Sequence, residues 1–143
     1  MTPDSAGQDR TDPAAQGWRA MKGGALPAGI GVPWSKRDGA GWRYGLVTTE
    51  AHRNVQGVIH GGILMSFADH GLSLLVWEAA KRQPCTTIQL NTHFLAAVRP
   101  GDFVELTGEV TRATRSLVFV RGLLSVGGRD VAAADGIWRV LGG

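Results

Sequence analysis

The longest apolar segment of the chain runs from Gly61 to about Arg82, and its pattern is helical rather than alternating. Large apolar side chains fall on most of the helical wheel, which predicts a helix that is buried on nearly all sides. Charged residues collect only at its far end, at Glu78, Lys81 and Arg82, and Pro84 cannot continue a helix. The pattern therefore predicts one long core helix that ends before Pro84.

After this helix the apolar period changes to two, which is typical of β-strands. In the segment TTIQLNTHF (86–94), apolar residues alternate with polar ones, and Thr87 falls on the polar side with Gln89. Further strands are predicted in FVELTGEVT (103–111) and SLVFVRGLLSV (116–126), with turns at 99–102 and 127–128, and DVAAADGIWRVL closes the chain.

The N-terminal part is less regular. Residues 1–16 are rich in Pro, Ala, Asp, Gly and Gln, which predicts a disordered tail. A short helix is predicted over 17–22, ended by the glycines at 23–24. A hairpin follows, with its turn at 38–41 and a strand over 42–50.

These elements predict the fold class. The tally is two strands, one long helix and three strands joined by tight turns. A single buried helix needs a sheet that curls around it, so the sequence predicts an α+β domain with a mostly antiparallel sheet. The 143 residues contain no internal repeat, and one domain over residues 17–143 suffices.

Composition narrows the class further, because 43% hydrophobic and 19% charged residues are typical of globular proteins. One cysteine excludes an internal disulfide, and neither a signal peptide nor a membrane span is evident, so we expect a cytoplasmic protein. The net charge of +3 is scattered, which does not favour nucleic acid. An anionic small molecule and ordinary surface charge both remain open.

Two features of the core helix call for a chemical explanation. Gly61 and Gly62 stand at its start, where free N–H groups can face an anion or a polarised carbonyl. The alternative is a flexible junction between loop and helix. Asp69 lies in the middle of the helix without a Lys or Arg among its helical neighbours, which marks a candidate site. Its alternatives are a solvated face, or a hydrogen bond with Ser66 or Ser73.

The spacing of these features points beyond a single chain. His60 and Asp69 are nine residues apart, half a turn out of phase, so one helix does not readily bring both to one site. A dimer would solve this by placing the glycine end of one helix near the carboxylate of another. The four histidines show no recognised ligand spacing with Asp69, and we expect no metal.

The combined pattern resembles a known family. HRNVQGVIHGGILMSFADHG, followed by TTIQLNTHFLAAVRPGD, is similar to the PaaI-like (phenylacetate-degradation type) hotdog acyl-CoA thioesterases. The shared motif is His-x-Asn-x-x-Gly-x-x-His-Gly-Gly, an Asp seven residues later, a strand with Ser or Thr ahead of Asn, and Pro-Gly-Asp. The resemblance covers about Trp42 to Leu141. It implies a hotdog fold, an antiparallel sheet wrapped around one long central helix.

The resemblance also implies an activity and an assembly. The activity is hydrolysis of an acyl- or aryl-CoA thioester to free acid and CoA, with no cofactor beyond the CoA of the substrate. The assembly is a homodimer whose sheets join, often paired into a homotetramer, with active sites at the dimer interface. Neither nucleic acid nor a membrane is an expected partner.

Each residue role follows from the resemblance at matching positions. Asp69 is expected to be the nucleophile or the general base, and the N–H of Gly61 to polarise the thioester carbonyl. Asn54 is expected to hold that carbonyl or the water, His60 to shape the site, and Thr87 to lie near the water. Asn54 and Gly61 of one protomer would face Asp69 and Thr87 of the other.

Substrate contacts are expected at five further positions. Besides Gly62, the acyl group is expected to lie along Met65, Leu72 and Phe94, and Arg115 is the candidate for the CoA phosphates. The turn RATRS lacks the glycine that relatives commonly carry beside the basic residue. Two alternatives stay open, a hotdog hydratase or dehydratase of acyl thioesters and a noncatalytic acyl-CoA-binding protein.

Overall fold

A computed structural model describes residues 12–22 and 26–142. One helix, α1 (Gly61–Ala79), lies against a seven-stranded antiparallel sheet, which is the hotdog arrangement expected from the sequence. The strands are β1 (Arg19–Ala20), β2 (Trp34–Asp38), β3 (Gly41–Val47), β4 (Cys85–Phe94), β5 (Phe103–Ala113), β6 (Leu117–Val126) and β7 (Arg129–Val140). Their order is β1-β2-β3-β5-β6-β7-β4, so the strand that directly follows the helix forms one edge of the sheet.

The helix packs closely because glycines on the sheet leave room for it. A Cβ on Gly108 or Gly122 would lie within 2.9 Å of the side chain of Leu72 or Leu75. On the helix itself, Gly71 faces Leu106 in the same way. The helix thus buries apolar side chains against β5 and β6 as part of the hydrophobic core.

Strand β4 departs from the regular alternation predicted for it. Its pairing with β7 shifts register between Thr87 and Gln89, which marks a β-bulge at Ile88. The bulge moves Thr87 to the inner face of the sheet, where it contacts the helix, whereas Gln89 stays exposed. The predicted placement of Thr87 with Gln89 on one polar face is therefore wrong, because the extra residue reverses the side-chain alternation.

Other sequence predictions have mixed outcomes. The hairpin turn at 38–41 is confirmed, and the closing segment forms a fourth strand after the helix, β7, which the tally of three did not include. The short helix over 17–22 is wrong, since β1 lies there and pairs with β2. Part of the predicted tail, Pro13–Gln16, forms a 3-10 helix with Pro13 buried, while residues 1–11 and the glycines at 23–24 lie outside the described residues.

No helix in residues 12–22 and 26–142 is long and apolar enough to cross a membrane.

Helix α1 ends at Ala79, earlier than predicted, and a strained turn rather than proline ends it. Lys81 and Arg82 both adopt left-handed backbone conformations, with φ of 55° and 63°. The N–H of Arg82 donates to the carbonyl of Trp77 at 2.7 Å, which closes the last turn. Glycine usually occupies such positions because a Cβ is disfavoured there.

We predict that Lys81→Gly stabilises the protein by roughly 0.5–1 kcal/mol. Glycine relieves the strain of the left-handed backbone, although the higher conformational entropy of the unfolded chain offsets part of this effect. Urea denaturation monitored by circular dichroism measures this free energy of unfolding. Lys81→Ala removes the same side chain but keeps the Cβ, so it should show no such gain. Equal stabilities of the two variants would contradict the strain.

Candidate active site

The central contact of the site joins the helix to the edge strand. The hydroxyl of Thr87 on β4 donates to Oδ1 of Asp69 on α1 at 2.6 Å. Both side chains are partly buried, and none of the ion pairs among the described residues involves Asp69. The carboxylate is thus oriented by a neutral hydroxyl, which leaves its other oxygen free for a substrate or a water.

The two serines proposed as partners of Asp69 bond elsewhere. Ser66 donates to the carbonyl of Gly62 at 2.9 Å, one turn back along the helix. Ser73 accepts a hydrogen bond from the indole of Trp138 at 2.8 Å. The predicted alternative, an Asp69 satisfied by its own helix, is therefore wrong.

The start of α1 presents free backbone donors. His60 is the N-cap residue, and its carbonyl accepts from Ile63 and Leu64 at 3.0 and 3.3 Å. None of the hydrogen bonds among the described residues uses the N–H of Gly61 or Gly62. A Cβ on Gly61 would lie 2.9 Å from the ring of Phe94, whereas one on Gly62 would meet nothing within 4 Å. This end of the helix can therefore bind an oxyanion or a polarised carbonyl.

Within one chain, however, these donors and the carboxylate are separated. Gly61 and Asp69 are eight residues apart on the same helix, which corresponds to about 12 Å along the axis. The carbon and oxygen of a single carbonyl group cannot reach both. The geometry thus agrees with the phase argument from the sequence that one helix does not supply both halves of a site.

The motif before the helix forms a turn that fixes the helix start. Oδ1 of Asn54 accepts from the N–H groups of Gln56 and Val58 at 3.0 and 3.3 Å, so this oxygen is already engaged within the loop. The buried His52 receives the N–H of Thr49 on Nδ1 and contacts the carbonyl of Gly29 through Nε2. Within the Asn54 side chain, the amide nitrogen has no hydrogen-bond partner among the described residues and can donate to a ligand.

The exposed His60 is tied to this turn through its backbone, since its N–H donates to the carbonyl of His52 at 2.9 Å. Beside the carboxylate, burial lowers the pKa of His70, and the charge of Asp69 partly opposes this effect. Nε2 of His70 is buried without a partner among the described residues. Nowhere in residues 12–22 and 26–142 do three or more His, Cys, Asp or Glu side chains lie close enough together to hold a metal ion.

The apolar substrate candidates separate into two groups. Phe94 and Leu95 are about half exposed and border a pocket of about 380 Å³ beside Gly61, and Met65 is 36% exposed on the helix. Leu72 is fully buried against the glycines of the sheet, so the expectation that it contacts the acyl group is wrong. Its position on the wheel faces β5 and β6, which the sequence alone did not reveal.

Arg115 lies at the opposite end of the helix from Gly61. It is exposed and lines a depression of about 330 Å³ together with Lys81 and Gln83. Lys81 was not among the predicted binding residues, because nothing in the sequence connects it with a turn 34 positions later. The structure thus does not bring Arg115 to the helix start of its own chain.

With this geometry in place, comparison with known proteins establishes the family. The thioesterase superfamily model matches residues 56–133, which contain the helix, β4 and most of the sheet. A Pseudomonas aeruginosa protein, assigned as an esterase by its name alone, is 33% identical over 92 residues, 64% of this chain and 69% of the relative. The chain therefore belongs to the thioesterase superfamily, and it is a thioester hydrolase.

Solved structures agree with this assignment. A phenylacetic acid degradation-related protein from Ralstonia eutropha JMP134 is 29% identical, covers 69% of this chain and 75% of its own, and superposes with a TM-score of 0.65. A Streptococcus pneumoniae protein described as a hypothetical thioesterase and solved with coenzyme A shares 21% identity, covers 77% of this chain and 89% of its own, and superposes with a TM-score of 0.70. The hotdog fold and the PaaI-like resemblance are confirmed.

We predict that Thr87→Val lowers kcat of thioester hydrolysis about tenfold or more, because a carboxylate that loses its orienting hydrogen bond leaves the productive geometry. Thr87→Ser keeps the hydroxyl and should retain most of the activity. Thiol release at saturating substrate measures both rates. A Val variant as active as the Ser variant would show that the 2.6 Å hydrogen bond is not needed.

Proposed function

We propose that the protein is an acyl-CoA thioesterase that hydrolyses an acyl- or aryl-CoA ester to the free acid and CoA. The hydrogen bond from Thr87 to Asp69 carries this proposal. It places an oriented carboxylate, free of any observed cation, on the inner face of the sheet edge. Thioester hydrolysis needs a base or nucleophile and an oxyanion site, and the start of α1 offers the second part.

The proposed reaction uses both parts at once. As general base, Asp69 takes a proton from a water, whose oxygen attacks the thioester carbon. The negative charge on the carbonyl oxygen is stabilised by the N–H of Gly61, with the side-chain amide of Asn54 as a further donor. The tetrahedral intermediate then expels the CoA sulfur, which takes up a proton. As nucleophile, Asp69 would instead attack the thioester carbon and expel the CoA thiolate, which forms an acyl anhydride that water hydrolyses.

A complete site then requires two chains, because about 12 Å of helix separates Gly61 from Asp69. Strand β4 supports this assembly, since it is a ten-residue edge strand with its outer backbone groups unpaired within the described sheet. Ile88 and Phe94 on this strand, and Leu95 directly after it, are between 51% and 56% exposed. Long apolar edges favour pairing with another strand. We propose a homodimer that joins at β4 and brings Gly61 of one protomer to Asp69 of the other.

Substrate binding is proposed at two surfaces. The pocket beside Gly61, bordered by Phe94 and Leu95, suits the acyl or aryl group. The depression lined by Lys81 and Arg115 carries two cations suited to the CoA phosphates. The Streptococcus pneumoniae neighbour solved with coenzyme A supports this substrate class. Tetramer formation, a cytoplasmic location and the absence of a further cofactor stay predictions.

The first test is thiol release from a panel of acyl- and aryl-CoA esters. We expect wild-type activity on at least one ester, and a fall of about 100-fold or more for Asp69→Asn, because general-base catalysis typically contributes about 10²–10⁴-fold. Asn keeps the shape of the side chain, and an unchanged melting temperature controls for folding. Turnover of enoyl-CoA by hydration instead would favour the hydratase alternative, and binding without turnover would favour the noncatalytic one.

The oxyanion role of Gly61 can be tested at the level of one N–H group. Proline is tolerated at the first position of a helix, and His60 has the extended backbone, ψ 134°, that a following proline requires. Gly61→Pro removes the N–H. Gly61→Ala adds a comparable Cβ against Phe94 but keeps the N–H, so it is the matched control. We predict that kcat of the Pro variant falls about 100- to 1000-fold below that of the Ala variant.

Mixing these variants tests the shared site. Asp69→Asn and Gly61→Pro are each expected to lose nearly all activity, but a mixed dimer would contain one intact site and one doubly altered site. Random association should restore at most about one quarter of wild-type activity, since half of the dimers are mixed and half of their sites are intact. No recovery in mixed dimers, isolated by two affinity tags, would place both residues in the site of one chain.

A further inference from the structure

Trp138 stands behind the Asp69 contact on the neighbouring strand. It lies on β7, is fully buried, and its indole N–H donates to the hydroxyl of Ser73 at 2.8 Å. Ser73 follows Asp69 by four residues, which is one turn along the same face of α1. The helix face that carries Asp69 therefore has a second hydrogen bond to the sheet, at Ser73, one turn after the carboxylate.

The two bonds from this face converge on paired positions in the sheet. Thr87, which holds Asp69, is the register partner of Trp138 across β4 and β7. Asp69 is thus tied to one strand and Ser73 to the adjacent strand at the same level. One tie alone would let the helix rotate about the contact, whereas two ties about 6 Å apart along the axis fix its rotation.

The bulge in β4 lies opposite the same part of β7, between the pairs Thr87–Trp138 and Gln89–Ile137. Gly136 pairs with Leu90, just after the bulge, and a Cβ there would collide with the carbonyl of Gln89 and lie 2.7 Å from the ring of Trp138. The Trp138 ring therefore fills the space over Gly136, next to the point where the strand turns Thr87 inward. The indole of Trp138 therefore contacts this part of the sheet through its ring and contacts the helix through its N–H.

We infer that Trp138 is a positioning residue for the reaction: through Ser73 and its pairing with Thr87 it sets the orientation of Asp69. The inference rests on the proposed role of that carboxylate. Trp138 touches no reacting atom, so its effect is expected on kcat and not on substrate binding. A displacement of about 1 Å at a catalytic group can lower the rate about 100-fold.

A buried indole N–H needs some acceptor in any protein, so stability alone does not distinguish this role. Trp138→Phe keeps the ring bulk and removes the donor, and Ser73→Ala removes the acceptor. The matched control is Trp18→Phe, which alters another buried tryptophan, packed on Phe103 with ring centroids 5.0 Å apart. Melting temperatures of all variants calibrate the loss of stability.

We expect Trp138→Phe to lower kcat about tenfold with KM nearly unchanged, and Trp18→Phe to leave kcat within about twofold of wild type. Ser73→Ala should reproduce the loss, and the double variant should be no slower than the worse single one, because both remove the same hydrogen bond. Ser73→Thr keeps the hydroxyl and should restore kcat. Multiplying effects in the double variant would overturn the link through Ser73.

A second readout needs no substrate. The ¹³C resonance of the Asp69 carboxyl, identified by its loss in Asp69→Asn, reports the hydrogen bond from Thr87, and Thr87→Val gives the value without that bond. Trp138→Phe should move the resonance toward the Thr87→Val value, and Trp18→Phe should not. An unmoved resonance in Trp138→Phe overturns the inference whatever the rates. If the wild type hydrolyses no CoA ester, the proposed function fails while this readout still decides the positioning.

Discussion

The close fit of one helix against the inner face of a curled sheet is the constraint on which the other features depend. Gly108 and Gly122 leave no Cβ on the sheet where Leu72 of the helix packs, so the helix lies directly on β5 and β6. With the helix held at this depth, its next face meets β4 and β7. Asp69 and Ser73 lie on that face, and both bond to the sheet.

The same packing divides the helix into a part that stabilises the protein and a part that the proposed reaction uses. The face toward β5 and β6 is apolar and close-packed, as in any core. The face toward the sheet edge carries hydroxyl and carboxylate groups, and the start of the helix carries free N–H groups. These two chemical parts lie about 12 Å apart along one helix, which makes a second protomer part of the proposed mechanism.

Much of this arrangement follows from local sequence. The apolar run on all sides of the wheel predicts the buried helix, and the turn residues predict the hairpins, because both depend on neighbours within a few positions. The motif around Asn54, Gly61 and Asp69 identifies the family, which the superfamily match over residues 56–133 confirms. The assignments that needed contacts between distant segments were less successful. Leu72 is a core residue rather than a substrate contact, and Ser66 and Ser73 form hydrogen bonds with groups other than Asp69.

The sequence by itself therefore determined the central helix, most of the strands, the fold class and the candidate residues, since periodicity and capping are local properties. Only the tertiary structure decided which way Thr87 faces, because a one-residue bulge at Ile88 reverses the alternation and leaves no mark in the pattern of apolar residues. Likewise, only the fold brought Trp138 to Ser73, 65 residues away, and Lys81 to Arg115. Strand register and helix depth are set by packing across the whole core, which no local stretch encodes.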